Sequence, residues 1–140
     1  MFLLDTNVLS AMMTSMPVPR VAAWIAGRPI DLLYTTTVSQ AEILAGLAVM
    51  REGRRRRELE AAARAMFLED FAGRVLSFDA EAADAYAAIF AAGRRVGRPA
   101  ATLDLMIASV ARSQGASVVT RDIGGFEGCG VTVINPWDAS

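Results

Sequence analysis

Short apolar runs with no polar alternation, each closed by a polar or acidic residue and followed by a helical stretch, recur along these 140 residues. Phe2-Leu3-Leu4 is the first, and it ends in Asp5-Thr6-Asn7, residues of the kind that cap helices. A strand with no polar face has to be covered on both sides, as strands are in a parallel sheet packed between helices. Leu32 to Thr35, Val75 to Phe78, Ser117 to Thr120 and Val131 to Ile134 repeat the signal. Between them lie helical stretches: one to about Met13, one opened by Pro17 and Pro19, and one from Ser39 through Met50. The rest are the arginine-rich stretch Arg54 to Met66, the alanine-rich stretch capped by Asp79 and ending near Gly97, and Thr102 to Ser113, stopped at Gly115. This order predicts a single α/β domain over residues 1–140 with a mainly parallel, five-stranded sheet flanked by helices.

What the chain lacks removes most catalytic chemistry. It has no histidine, and all 14 basic residues are arginine. A serine or cysteine nucleophile has no imidazole base, a Schiff-base or phosphate-binding lysine is missing, and a zinc site lacks its usual ligands. The single cysteine, Cys129, forms no disulfide within the chain. Four acids remain where apolar segments break: Asp5, Glu42, Asp104 and Asp122. Hard carboxylate oxygens suit Mg²⁺ or Mn²⁺, and such ions activate water against phosphate-containing substrates.

Each acid also has a structural explanation. Asp5 could cap the first helix, worth roughly 1 kcal/mol, although Asp5-Thr6-Asn7 supplies more capping groups than one helix start requires. Glu42 completes Ser39-Gln40-Ala41-Glu42, an S-x-x-E capping box, so capping and ligation are equally open on spacing alone. Asp104 stands in a first helical turn, where the macrodipole favours it. Yet it shares a face with Ile107, Ala108 and Ala111, and a charge there needs a cation. Asp122 could form an Asx turn into the glycine loop Gly124-Gly125. In open α/β sheets ligands bind outside the carboxyl ends of the strands, and the predicted strands put Asp5 and Asp122 at that edge.

The run Arg54-Arg55-Arg56-Arg57 reads either as a solvated helix face or as a phosphate-contacting patch, its four side chains pointing around the helix. The net charge of -1 means that any nucleic-acid binding must come from such a local patch. No apolar run nears the roughly 18–20 residues that span a bilayer. The start has no basic region ahead of an apolar stretch, so a soluble cytoplasmic protein is expected. The 54% hydrophobic content is more than one small core obviously consumes, which predicts cover by a partner or a second copy.

These residues also carry a family likeness. Leu3-Leu4-Asp5-Thr6-Asn7-Val8 resembles the opening of a PIN-domain protein. Ser39-x-x-Glu42-Ile43-x-x-Gly46, Asp104-x-x-Ile107-Ala108 and Val119-Thr120-Arg121-Asp122 resemble the later motifs in the same order. Val133-Ile134-Asn135-Pro136-Trp137 is similar to the tail of VapC- and FitB-type toxins. The resemblance implies a PIN-like three-layer sandwich and a Mg²⁺-dependent endoribonuclease, the toxin of a toxin–antitoxin pair. It also implies an RNA substrate, a cognate antitoxin, and a homodimer or larger assembly. The family's acid quartet falls on Asp5, Glu42, Asp104 and Asp122, with Asn7 and Thr120 at polar positions that help orient metal or water. Asp5 and Asp104 are then the expected direct ligands, with Glu42 and Asp122 binding directly or through water. The chain departs from the family pattern at Leu105, where Ala is frequent, and at Asp122, where Asn is common.

A response-regulator receiver and a haloacid-dehalogenase-type phosphatase also place acids at strand ends. Both need a lysine that this chain lacks, and the second wants an acid where Asn7 stands. A non-catalytic PIN-like module that binds RNA or protein is the other alternative.

Overall fold

The computed structural model describes residues 1–98 and 101–138. Five strands form one sheet: β1 (Phe2–Leu4), β2 (Leu33–Thr36), β3 (Val75–Leu76), β4 (Ser117–Val119) and β5 (Val133–Ile134). Their order is β3-β2-β1-β4-β5 and every pairing is parallel. Six α-helices accompany them among the described residues: α1 (Thr6–Met12), α2 (Pro19–Ala26), α3 (Thr37–Ala48), α4 (Arg54–Ala65), α5 (Ala80–Arg95) and α6 (Thr102–Gln114).

Adjacent residues of one strand enter different cores, because side chains alternate across a sheet. Leu3 and Val118 belong to the core built with Ile89, Ile107 and Val110 of α5 and α6. Leu4 and Val119 belong to the core built with Val8, Val21, Trp24 and Ile43 of α1, α2 and α3. Leu3, Leu4, Val118 and Val119 are each 0% exposed, which is why the strands carry no polar face. The result is helix, sheet, helix.

Boundaries differ from the sequence reading where short strands fade into loops. The third strand stops at Leu76 and the fifth begins only at Val133, two residues each at the sheet edges. Gly115 takes φ +65 and ends α6 in a left-handed conformation, as its position predicts. Helix α3 starts earlier than Ser39. Thr36 is its N-cap and accepts a hydrogen bond from the Ser39 amide at 3.0 Å. Ser39 is thus inside the first turn, and the capping-box reading of Glu42 is wrong. None of the described helices is long and apolar enough to cross a membrane.

From β1 the chain moves outward through β2 to β3, then returns to β4 on the other side of β1. Between β1 and β4 the strand order reverses, and such a point leaves a crevice beyond the carboxyl ends.

Candidate metal centre

Asp5 follows β1 and has 4% of its surface exposed, at the edge of that crevice. Its Oδ1 accepts from the Thr6 amide at 2.8 Å, and its Oδ2 accepts from the Thr120 hydroxyl at 2.8 Å. Burial pushes the Asp5 carboxyl above its ordinary range, and the charges of Glu42 and Asp122 push the same way. The hydrogen bonds from Thr120 and Thr6 pull it back. Asp5 is a helix cap and a member of an acid cluster at once, so the two readings of its sequence position do not compete.

Thr120, just past β4, ties this side of the site together. Its single proton goes to Asp5, while its oxygen accepts from Asn7 Nδ2 at 3.1 Å and from the Asp122 amide at 3.0 Å. Asn7 Oδ1 in turn accepts from the Arg121 amide at 3.2 Å. Asn7 and Thr120 therefore lock the start of α1 to the end of β4 and orient the carboxylate of Asp5.

Glu42 lies in the second turn of α3 and is half-buried. The Thr6 hydroxyl donates to its Oε1 at 2.7 Å and sits 3.0 Å from the Ser39 hydroxyl. With α3 capped by Thr36, the Glu42 carboxylate is free to turn towards the end of β1.

Asp104 is half-buried in the first turn of α6, above fully buried Ile107 and Ala108. No protein group donates to its carboxylate among the described residues. Its pKa is pushed up to about 6, first by burial and then by the charges of Asp5, Asp122 and Glu42. The macrodipole at the helix start favours the anion, but desolvation and three like charges outweigh it.

Asp122 is exposed, and its Oδ1 accepts from the Gly125 amide at 3.2 Å, so the turn anticipated there exists. Its other oxygen faces Asp104 across Gly125. A β-carbon on Gly125 would lie 2.7 Å from Asp104 Oδ2 and 2.7 Å from Asp122 Oδ2. Both oxygens converge on the space that this glycine leaves empty. Gly124–Phe126 is a 3-10 turn packed against α6 by buried Phe126, a built wall of the site rather than a loose glycine loop.

The structure thus places all six residues singled out in the sequence at one rim, drawn from the ends of β1 and β4, the second turn of α3 and the first of α6. It adds two that sequence reasoning missed. Thr6 holds Glu42, and its only signal was its place between Asp5 and Asn7. Gly125 makes room for two carboxylates, which spacing from Asp122 could not reveal.

The donor set fits a hard divalent cation. None of the four acids forms an ion pair with arginine among the described residues, so their charges are uncompensated. The same residues also hold no tight group of three metal-ligating acidic, histidine or cysteine side chains. Mg²⁺ binds through one or two carboxylates and keeps several waters, so a rim of this kind does not need three acids in one tight group to hold it.

Comparison with known proteins points to one family. Residues 2–127 match the PIN domain. The chain is 42% identical over 139 residues to plasmid stability protein StbB of Pseudomonas syringae pv. tomato, covering 99% of this chain and 100% of that one. It is 38% identical to VapC ribonuclease Y4jK of Sinorhizobium fredii, with 99% of each covered. Toxin FitB of Neisseria gonorrhoeae is 36% identical, with 98% of this chain and 99% of that one covered. The solved structure of FitAB bound to the IR36 DNA fragment superposes with a TM-score of 0.92 at 35% identity, covering 100% of this chain and 98% of that one. With the acid rim at the β1–β4 crevice, a match over most of the chain and relatives aligned end to end, this chain belongs to the PIN-domain family.

Proposed function

We propose that this protein is a Mg²⁺-dependent endoribonuclease, the toxin of a toxin–antitoxin pair. The observation that carries the reading is the meeting of Asp5, Glu42, Asp104 and Asp122 at one crevice with no basic side chain paired to them. Uncompensated carboxylates of this kind cost stability, and a site that keeps them is matched to a cation. The relatives named a VapC ribonuclease and a toxin support the substrate class and the biological role.

Asp5 and Asp104 would bind the cation directly, with Glu42 and Asp122 at its margin. When bound, Mg²⁺ would supply charge neutralisation at the scissile phosphate and a lowered pKa for the attacking water. The protein's own task is positioning. Thr6 and Thr120 hold Asp5 by one bond to each oxygen, leaving further lone pairs for ligation. Glu42 is fixed through Oε1 by Thr6, and Asp122 through Oδ1 by Gly125, which leaves the second oxygen of each without a protein donor among the described residues. Preset ligands reduce the reorganisation needed at the moment of reaction. Without histidine or lysine, no side chain with an ordinary pKa near neutrality serves as acid or base; the carboxyls of Asp5 and Asp104 are both raised, that of Asp104 to about 6.

The test is cleavage of RNA by the purified chain in Mg²⁺ and in EDTA. Cleavage confined to the Mg²⁺ arm is expected. Undiminished cleavage in EDTA overturns the mechanism, and binding of RNA without cleavage in either arm favours a non-catalytic module. Co-expression with a cognate antitoxin should give a stable complex in which cleavage is suppressed.

A further inference from the structure

The four-arginine run at the start of α4 does not act as one patch. Arg54 pairs with Glu58 at 3.0 Å and Arg56 with Glu60 at 2.9 Å. Arg56 also donates to the Met50 carbonyl at 3.2 Å and fastens the α3–α4 connection. Arg55 and Arg57 have no acidic partner among the described residues. Of these two, only Arg55 lines the groove of about 520 Å³ between α1, α3 and α4. The same groove is lined by Thr6 and Glu42, the α3 side of the acid rim.

Helix stability does not explain this placement. The first turn of α4 holds no acid, and cations there oppose the macrodipole and repel one another. Within the groove, the charge of Glu58 is already met by Arg54 from outside it. Arg55 is left as an exposed, uncompensated guanidinium on a surface continuous with Glu42. A planar fork of donors is the group that grips phosphate oxygens two at a time.

We propose that Arg55 binds a backbone phosphate of the RNA strand and that the α1–α3–α4 groove carries the strand away from the acid rim. This rests on the ribonuclease reading, and it assigns the substrate's path on the Glu42 side. Arg57, two residues on and about 200° round the helix, lies outside the groove and has no such part.

The experiment measures equilibrium binding of a fluorescein-labelled, mixed-sequence 20-nucleotide RNA in EDTA across a KCl series. Wild type, Arg55→Gln, Arg55→Lys and Arg57→Gln are compared. Arg55 is exposed and takes no part in the ion pairs that Arg54 and Arg56 make, so its variants should fold. Arg55→Gln is expected to weaken binding about ten-fold at low salt. It should also flatten the slope of log K against log salt by about 0.7, the share of one single-strand phosphate. Arg55→Lys should keep the slope, and Arg57→Gln should match wild type. Equal affinity and slope in wild type and Arg55→Gln overturn the proposal and leave the groove to a partner's polypeptide. So does equal weakening by Arg57→Gln, which would mean diffuse attraction. RNA cleavage in Mg²⁺, measured separately on wild type, decides the ribonuclease reading independently: binding that does not depend on Arg55, with cleavage intact, sinks only the groove.

Discussion

Asp5 and Asp79 both follow a short apolar strand and both cap the next helix, yet they live in different electrostatic worlds. Asp79 accepts from the Ala82 amide at 2.9 Å, the usual geometry of an N-cap, and is exposed beyond the edge strand β3. Asp5 follows the central strand, is buried, and shares the crevice with three other acids. An acid after a strand is therefore not a site by virtue of that position. It becomes one where the strand has neighbours on both sides and the chain reverses direction across the sheet.

The largest effect expected from this contrast is on cleavage. Asp5→Asn and Asp104→Asn should each reduce Mg²⁺-dependent turnover by about 10³-fold, the loss of several kcal/mol of metal-assisted stabilisation. Asp79→Asn should leave it within about two-fold, since an exposed cap touches no substrate. Initial rates on one RNA substrate check this, and comparable losses at Asp5 and Asp79 would erase the distinction.

Next comes the glycine wall. Gly125→Ala puts a methyl 2.7 Å from both Asp104 and Asp122 oxygens, whereas at Gly124 a β-carbon meets nothing within 4 Å. Turnover should fall about ten- to a hundred-fold in Gly125→Ala, because misplacement of about 1 Å can cost that much. Gly124→Ala should behave as wild type. Equal rates in the two variants would show that the convergence at Gly125 has no part in the chemistry.

Stability separates the exposed cap from the acid cluster by sign. Asp79→Ala should cost about 1 kcal/mol, some 3–5 °C of Tm for a domain this size, whether or not Mg²⁺ is present. Asp104→Asn should instead raise the metal-free Tm by relieving repulsion, and should blunt the response to Mg²⁺. In wild type that response should approach about 2.7 kcal/mol at a hundred times Kd. A thermal-shift series reads all three. Destabilisation by Asp104→Asn with no Mg²⁺ response in wild type would make the cluster structural.

The smallest expected effect is on pH dependence. Asp104 keeps its proton to about pH 6 in the fold against 3.8 in the open chain. A carboxyl raised in this way stabilises the fold fully below about pH 3.8, and that contribution is lost as pH rises through 6. Asp5, also raised, adds the same sign. Metal-free Tm should decline from about pH 4 to 7 relative to Asp104→Asn, and saturating Mg²⁺ should remove the difference.

The sequence by itself determined the layers and the cast. Unbroken apolar runs such as Phe2-Leu3-Leu4 specify strands covered on both faces, and the absence of histidine and lysine leaves the carboxylates, with one lone cysteine, to carry acid–base or metal chemistry. Those are local or compositional properties, and they survive in the fold. The capping box at Ser39 and Glu42 was also a local pattern, and it failed because β2 runs on to Thr36, which takes the cap and moves the helix start. Only tertiary structure decided which acids meet. Asp5 and Asp122 are far apart in sequence, and nothing local says that β1 and β4 are neighbours while β3 is sent to the edge. Strand order is set by how the helices cover both faces of the whole sheet. The burial that raises Asp5 and Asp104, the hydrogen bonds through Thr6 and Thr120 and the space at Gly125 all depend on that order, because each is made between segments that only the assembled core brings within reach.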